Sequence, residues 1–363
     1  MIPMRKAGGF SLIELMIAMT LGLVLLAVLA TVFSSSSESQ RALQRNAAQI
    51  ESGRFAMDML TQDLHVAGYY GQMGIQPNTA TLPDPCLVTT AAQIKAAMTA
   101  PVQLYRAVDL VSIPDTSATT CGTWLNNSNV KPGSDILVIR RAETSVVAIG
   151  QTALSNEVYL QATSGDYEIQ FGNGSALLAL KKADGNDTVL RKLDNTAAEI
   201  RKYRTHIYFV ARCSVPGGGG DVCGAANDDG GTRIPTLKRL ELTVSGTTRT
   251  FVVTPIAEGV DYFKVDVGLD TSPPAVNAAT NSIGDGAPDS YTNAPSAADH
   301  ANIVTAKIHM VVRNPEPSAG FLDDKTYALG LIGSVGPIGD RYKRHGYVSE
   351  IRLTNLSARR EIP

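Results

Sequence analysis

The chain is poor in the residues that usually announce chemistry. Aromatics make up 6% of its 363 residues, with one Trp, and only 18% are charged. Its 32 basic and 34 acidic residues give a formal charge of -2. That excludes the positive coat a protein needs to neutralise the phosphates of duplex nucleic acid, so no nucleic-acid partner is expected. Four cysteines, none in a C-x-x-C pair, are too few and too spread for a zinc scaffold. The histidines stand singly, and no H-E-x-x-H occurs. Gly217-Gly218-Gly219-Gly220 does not lead into the Lys-Ser/Thr of a phosphate cradle, and Gly333-Ser334-Val335-Gly336 misses the spacing of a nucleophile elbow. With no nucleophile, acid pair or metal cluster in view, neither catalysis nor a cofactor is expected. The 44% of hydrophobic residues is enough to build a core, which excludes wholesale disorder.

The informative stretch is the N-terminus. Arg5 and Lys6 precede a run, Leu15–Phe33, that contains no charge. Such a run approaches the ~20 residues a helix needs to cross a bilayer, and the leading cations keep the short N-terminal side in the cytoplasm. A secretory signal peptide would also show small residues after the apolar stretch, as Ala27, Ala30 and Ser34–Ser37 do here. Glu14 distinguishes the two readings. An acid at the centre of a membrane helix costs about 2.5–3.5 kcal/mol and is kept where it has a partner and a task. It lies four residues after Phe10, one helical turn on the same face.

Gly9-Phe10-Ser11-Leu12-Ile13-Glu14 resembles the class III signal of type IV pilins and of type II secretion pseudopilins. The resemblance implies cleavage between Gly9 and Phe10 by a prepilin peptidase, N-methylation of Phe10, and a role for Glu14 in subunit assembly. Cutting after Gly9 leaves a cationic amine in an apolar setting. A carboxylate from the neighbouring subunit would offset the cost of each lone charge. The resulting division is a leader over 1–9 and a transmembrane helix over 10–33.

The helical period continues as an amphipathic segment over 34–68. Leu43, Ala47, Ile50, Met57, Leu60, Leu64 and Ala67 recur at three- and four-residue spacing, with Phe55 beside them. Arg41, Arg45, Glu51, Arg54, Asp58 and Asp63 are expected mostly on the other face, and Gly68 as the stop. One helix from Phe10 to Val66 would be about 85 Å long. Gly53-Arg54-Phe55-Ala56, leading to Asp63-Leu64-His65-Val66-Ala67-Gly68-Tyr69, narrows the resemblance to the PilW-type minor pilins. This implies a minor pilin in a priming or tip complex, with other minor pilins and the major pilin as partners. It also implies a chain held in the inner membrane by one span, its C-terminal domain in the periplasm, and later display on the pilus at the cell surface. A minor pseudopilin of type II secretion and a pilus-tip adhesin are the alternatives.

From 69 to 363 the period falls to two. Strands are expected at Asp135–Arg141, Val158–Leu160, Tyr167–Phe171, Tyr203–Arg212, Leu237–Val244, Arg249–Thr254, Val260–Val267, Ile303–Arg313 and Tyr347–Leu353. The expected fold class is α+β, with the long helix packed on an antiparallel, half-exposed sheet. Long loops are expected at 71–131, holding a short helix at Ala91–Met98, at 214–233 as a floppy hairpin tip, and at 271–302. Asp266, Asp270, Asp285 and Asp289 could together hold calcium, but they do not follow the EF-hand order and read as a solvated loop. The basic run Arg341–Tyr347 reads likewise as a solvated loop entering a strand. Four cysteines allow three pairings. Cys213 and Cys223 bracket the glycine loop and are paired here, leaving Cys86 with Cys121, as suits an oxidising compartment.

Overall fold

The computed structural model describes residues 11–73, 82–106, 121–176, 190–246, 248–272 and 284–361. Helix α1 runs from Leu12 to His65. Its opening turns are rich in Leu, Ala and Met, and no proline removes a backbone donor along its length. It ends where Gly68 takes a φ of +69°, the left-handed conformation glycine enters at little cost. A Cβ at that position would also lie 2.6 Å from Leu356 Cδ1.

The chain divides into two compact units, Met1–Ala48 and Gln49–Pro363. The second contains two main sheets whose recorded strand pairs are all antiparallel. Among the described residues the first sheet has seven strands: β1 (Val102–Arg106), β2 (Asp135–Ala142), β3 (Val158–Ala162), β4 (Tyr167–Phe171), β5 (Ile200–Ala211), β6 (Thr236–Ser245) and β7 (Thr248–Glu258). The second has four strands, drawn from β8 (Val260–Leu269), β9 (Ser290–Thr292), β10 (Ile303–Arg313) and β13 (Arg344–Arg352), in the order β13-β10-β8-β9. A two-stranded ribbon of β11 (Tyr327–Ala328) and β12 (Ser334–Val335) and two short helices, α2 (Ala91–Met98) and α3 (Thr354–Ser357), complete the set.

β5 organises the first sheet. Its middle pairs with β2, Leu137 opposite Tyr208, while its other edge is shared by β3 at one end and β6 at the other. The expected alternation of buried and exposed residues does not hold there, because both faces of β5 are covered. Tyr203, Ile207, Phe209 and Ala211 enter a core with Ile94 and Met98 of α2. Tyr208 and Val210 enter another core, shared with Phe263 and Val265 of β8, Ile308 of β10, and Leu60 and Leu64 of α1. A fully buried side chain of this size contributes about 1.5–3 kcal/mol, so two cores on one strand fix its register firmly.

Several regions expected to be irregular are organised. Segment 71–131 contains α2, capped by a reciprocal pair of bonds between Thr90 and Gln93, and strand β1. The structure joins Cys86 to Cys121 and Cys213 to Cys223, and all four lie in the first core. The glycine loop is tied down rather than floppy. Buried Asp228 accepts the N–H groups of Gly217 and Gly224, and Asp229 accepts those of Ser214, Val215 and Ile234. At the sheet border Asp135 accepts the N–H of Val265 and the ammonium of Lys264, on the side of β8 away from β10.

The basic run before the last strand is a correction of the same kind. Arg344 is buried, with its side chain 2% exposed. Its guanidinium bonds Asp261 at 2.8 Å, Asp323 at 2.9 Å and Asp340 at 2.6 Å. Lys131 joins Asp261 from the other side at 2.9 Å. The four acids once grouped for calcium go separate ways. Asp266 meets His309 and the Leu331 N–H, and Asp270 meets Arg360 and the Gly286 N–H. Asp285 caps Ala287, and Asp289 accepts from Thr271 and Ser272. No group of three or more potential metal ligands occurs among the described residues.

Candidate functional site

Gly9 and Phe10 lie outside the described residues, which begin at Ser11. Glu14 stands in the first turn of α1, where its carboxylate accepts the Ser11 N–H at 3.4 Å. This position favours an anion, because the first helical N–H groups have no partner along the chain. From Leu12 to Phe33 the large apolar side chains are each more than half exposed, and the helix is long and apolar enough to cross a membrane. Its hydroxyls are satisfied internally: Thr20 donates to the Ile17 carbonyl at 2.9 Å, Thr31 to Val28 at 2.8 Å and Ser35 to Val32 at 3.1 Å. Hydroxyls that close on the helix's own backbone, as those of Thr20 and Thr31 do, suit hydrocarbon.

The continuation from Gln49 to His65 belongs to the second unit and is fixed there by an unexpected face. The buried positions are Gln49, Gly53, Ala56, Leu60, Asp63 and Leu64. Leu43, Ile50 and Phe55, expected in the core, are 68%, 45% and 51% exposed. The stripe expected from the sequence is therefore rotated. The reason lies in the partners: the Gln49 amide donates to the carbonyls of Val312 and Lys343, and the ring of Tyr347 lies against Gly53. Tyr347 then donates its hydroxyl to the Ile50 carbonyl at 3.2 Å. Any side chain larger than glycine at 53 would displace that ring.

Asp63 is the polar centre of this face, not a solvated charge. Its carboxylate receives His206 Nδ1 at 2.6 Å, the Tyr208 hydroxyl at 3.1 Å and Arg141 Nε at 2.8 Å. Burial pushes the Asp63 carboxyl up, but the His206 bond and charge, followed by Arg141, outweigh it and hold the pKa at about 2. Burial likewise works against the His206 cation, yet the bond to Asp63 and the carboxylate of Glu241 carry it above its ordinary value. Glu241 is held at about 2, chiefly by His206 and, against the effect of burial, by Arg239 and Arg204. Burial and the Asp63 charge keep the Tyr208 hydroxyl protonated, so it stays a donor. The spacing of 56, 60, 63, 64 and 67 on one helix face was the signal that placed Asp63 inward; the rule that acids face solvent concealed it.

Comparison with known proteins bears on both units. A model of the prokaryotic N-terminal methylation motif matches residues 4–30, a span holding Gly9, Phe10 and Glu14. A model of type IV pilus-assembly protein W matches residues 224–355, from the glycine loop through β13, including Arg239, Asp261 and Arg344. Over 224–355 the chain is similar to the type IV pilus-assembly protein W family, and over 4–30 it carries the methylation motif. The long apolar helix and the antiparallel, sheet-rich remainder give it an α+β fold, and the family matched over 224–355 is that of a pilus-assembly protein. The helix and the methylation motif mark membrane anchoring with the rest of the chain outside, and they imply pilin partners and processing by a prepilin peptidase. Among solved structures, a type IV-like pilin from Thermus thermophilus is similar at 10% identity and a TM-score of 0.22, covering 57% of this chain and 89% of that one. At that likeness the identification rests on the two family models. No curated protein matches the chain.

Proposed function

We propose that this PilW-type protein is a minor pilin that joins other minor pilins and the major pilin in a priming or tip complex of the type IV pilus. It is held in the inner membrane by one span with its second unit in the periplasm. A prepilin peptidase cuts between Gly9 and Phe10, and Phe10 is methylated. The observation that carries this reading is one acid, Glu14, at the start of an otherwise apolar, exposed helix, within the matched methylation motif. In a filament, the Glu14 carboxylate of one subunit neutralises the new amine of the next, so docking depends on register as well as on apolar contact.

The test is a deletion strain scored separately for surface pili and for type II secreted proteins. Loss of pili with normal secretion is expected; lost secretion with normal pili would assign the chain to the secretion pseudopilins instead. Glu14→Ala is expected to insert in the membrane normally and to fail in assembly. Mass spectrometry of the cellular protein is expected to find an N-terminus at methylated Phe10; an intact Met1 or a start beyond Phe33 would overturn the proposal.

A further inference from the structure

Beside Asp63 the surface opens into a groove of about 380 Å³, lined by Met59, Gln62, Asp63, Arg141, His206 and Arg239 among others. Its charges do not balance. Arg141, His206 and Arg239 face Asp63 and Glu241, and the adjoining Arg204 and Lys202 are matched by Glu143 and Glu157. With the His206 ring protonated between Asp63 and Glu241, one positive charge is left over. The two guanidiniums on the groove are also underused. Arg141 spends Nε on Asp63, and among the described residues its two terminal nitrogens have no acceptor. Arg239 gives Nη2 to Glu241 and also interacts with the Tyr208 hydroxyl, while its Nη1 reaches the thioether of Met59 at 3.9 Å and its Nε is buried. A thioether is a weak acceptor for a group that prefers a planar anion.

We propose that this groove receives an acidic side chain of a neighbouring pilus subunit, its carboxylate clamped between Arg141 and Arg239. A carboxylate matches the guanidinium fork in geometry and supplies the missing negative charge. The thioether and the stems of Gln62 and Val66 offer the apolar wall that a Glu or Asp stem would cover. Three lining residues come from α1, so an occupant would be tied to the same helix that enters the membrane. This inference rests on the chain being a pilus subunit and adds the chemistry of one contact.

The experiment places a photo-crosslinking residue at exposed Gln62, and separately at exposed Thr144, in the full chain within piliated cells, and maps the linked peptides. Links to another pilin within a few residues of an Asp or Glu are expected. Arg239→Glu should lower their yield roughly tenfold, and changing the mapped acid to Lys should restore it. Arg239→Gln serves if the reversed charge does not accumulate. Links to segments without an acid, yields unchanged by either variant, or an absence of links in cells that make normal pili would overturn the proposal. So would loss of the links in acetate alone, which would mark a site for small anions. The broader reading fails separately, if deletion of the whole chain leaves pili intact.

Discussion

The two units handle polarity in opposite ways. From Leu12 to Phe33 the first unit exposes apolar side chains and keeps its few hydroxyls on its own backbone. The second hides ionised groups: Asp63 and His206, Asp135 and Lys264, and Arg344 with Asp323 are all nearly inaccessible. The first is built for a medium that supplies no hydrogen bonds, the second for water, with charges taken inside to set register. A buried ion pair adds little net stability over a well-packed apolar pair, but removing one member is expensive. The second unit should therefore be brittle to single charge deletions, and the first indifferent to apolar swaps.

Arg344→Ala should show this most strongly. It leaves Asp261 and Asp323 buried without their cation and is expected to cost about 3–5 kcal/mol in denaturant unfolding of the full chain in detergent. A change below 1 kcal/mol would mean water reaches the cluster. Replacing Cys213 and Cys223 together with Ser should cost about 2–4 kcal/mol and expose the glycine loop to protease. Gly53→Ala should cost about 1–3 kcal/mol by driving Tyr347 off the helix, read as a change in the tyrosine signal of near-ultraviolet circular dichroism.

Acidity tests the Asp63 network. Asp63 titrates at about 2 in the fold against a reference of 3.8. Its contribution is present above pH 4 and should fade by on the order of 2 kcal/mol as the pH drops towards 2. The His206 pKa is raised, so its contribution is present below its ordinary value and is lost as pH climbs through the raised one. Stability measured against pH should thus fall on both flanks, and Asp63→Asn should flatten both. The smallest effect is expected in the first unit. Leu25→Val should shift unfolding of the second unit by less than about 0.5 kcal/mol, and a larger shift would contradict the contrast between the units.

Most strands were legible because Val, Ile and Tyr alternate in short runs between turn residues, as in Ile303–Arg313. β1 was not: Val102–Arg106 is short, and its partner, β2, lies on the far side of a long connection. The helix face was misread for a related reason. Apolar residues occur on two faces of Gln40–Val66, and periodicity cannot say which one the chain's own sheets will cover. The sheets chose the face with Gln49 and Asp63, whose partners lie 263 and 143 residues away. Local pattern carries no information about such pairs. The same holds for Arg344, which reads as surface charge until Asp261 and Asp323 arrive from other elements. At the signal itself the sequence said more: Gly9 and Phe10 are outside the described residues, and the motif is what marks them.

By occupying the Val265 amide, Asp135 takes one donor of β8 out of reach of a foreign strand, and Lys264 beside it adds a charge that any intruder would have to strip of water. Proteins crowded in the plane of a membrane meet one another at high local concentration while they wait for export. A capped donor beside the stretch of β8 that β9 does not cover disfavours strand pairing in such encounters.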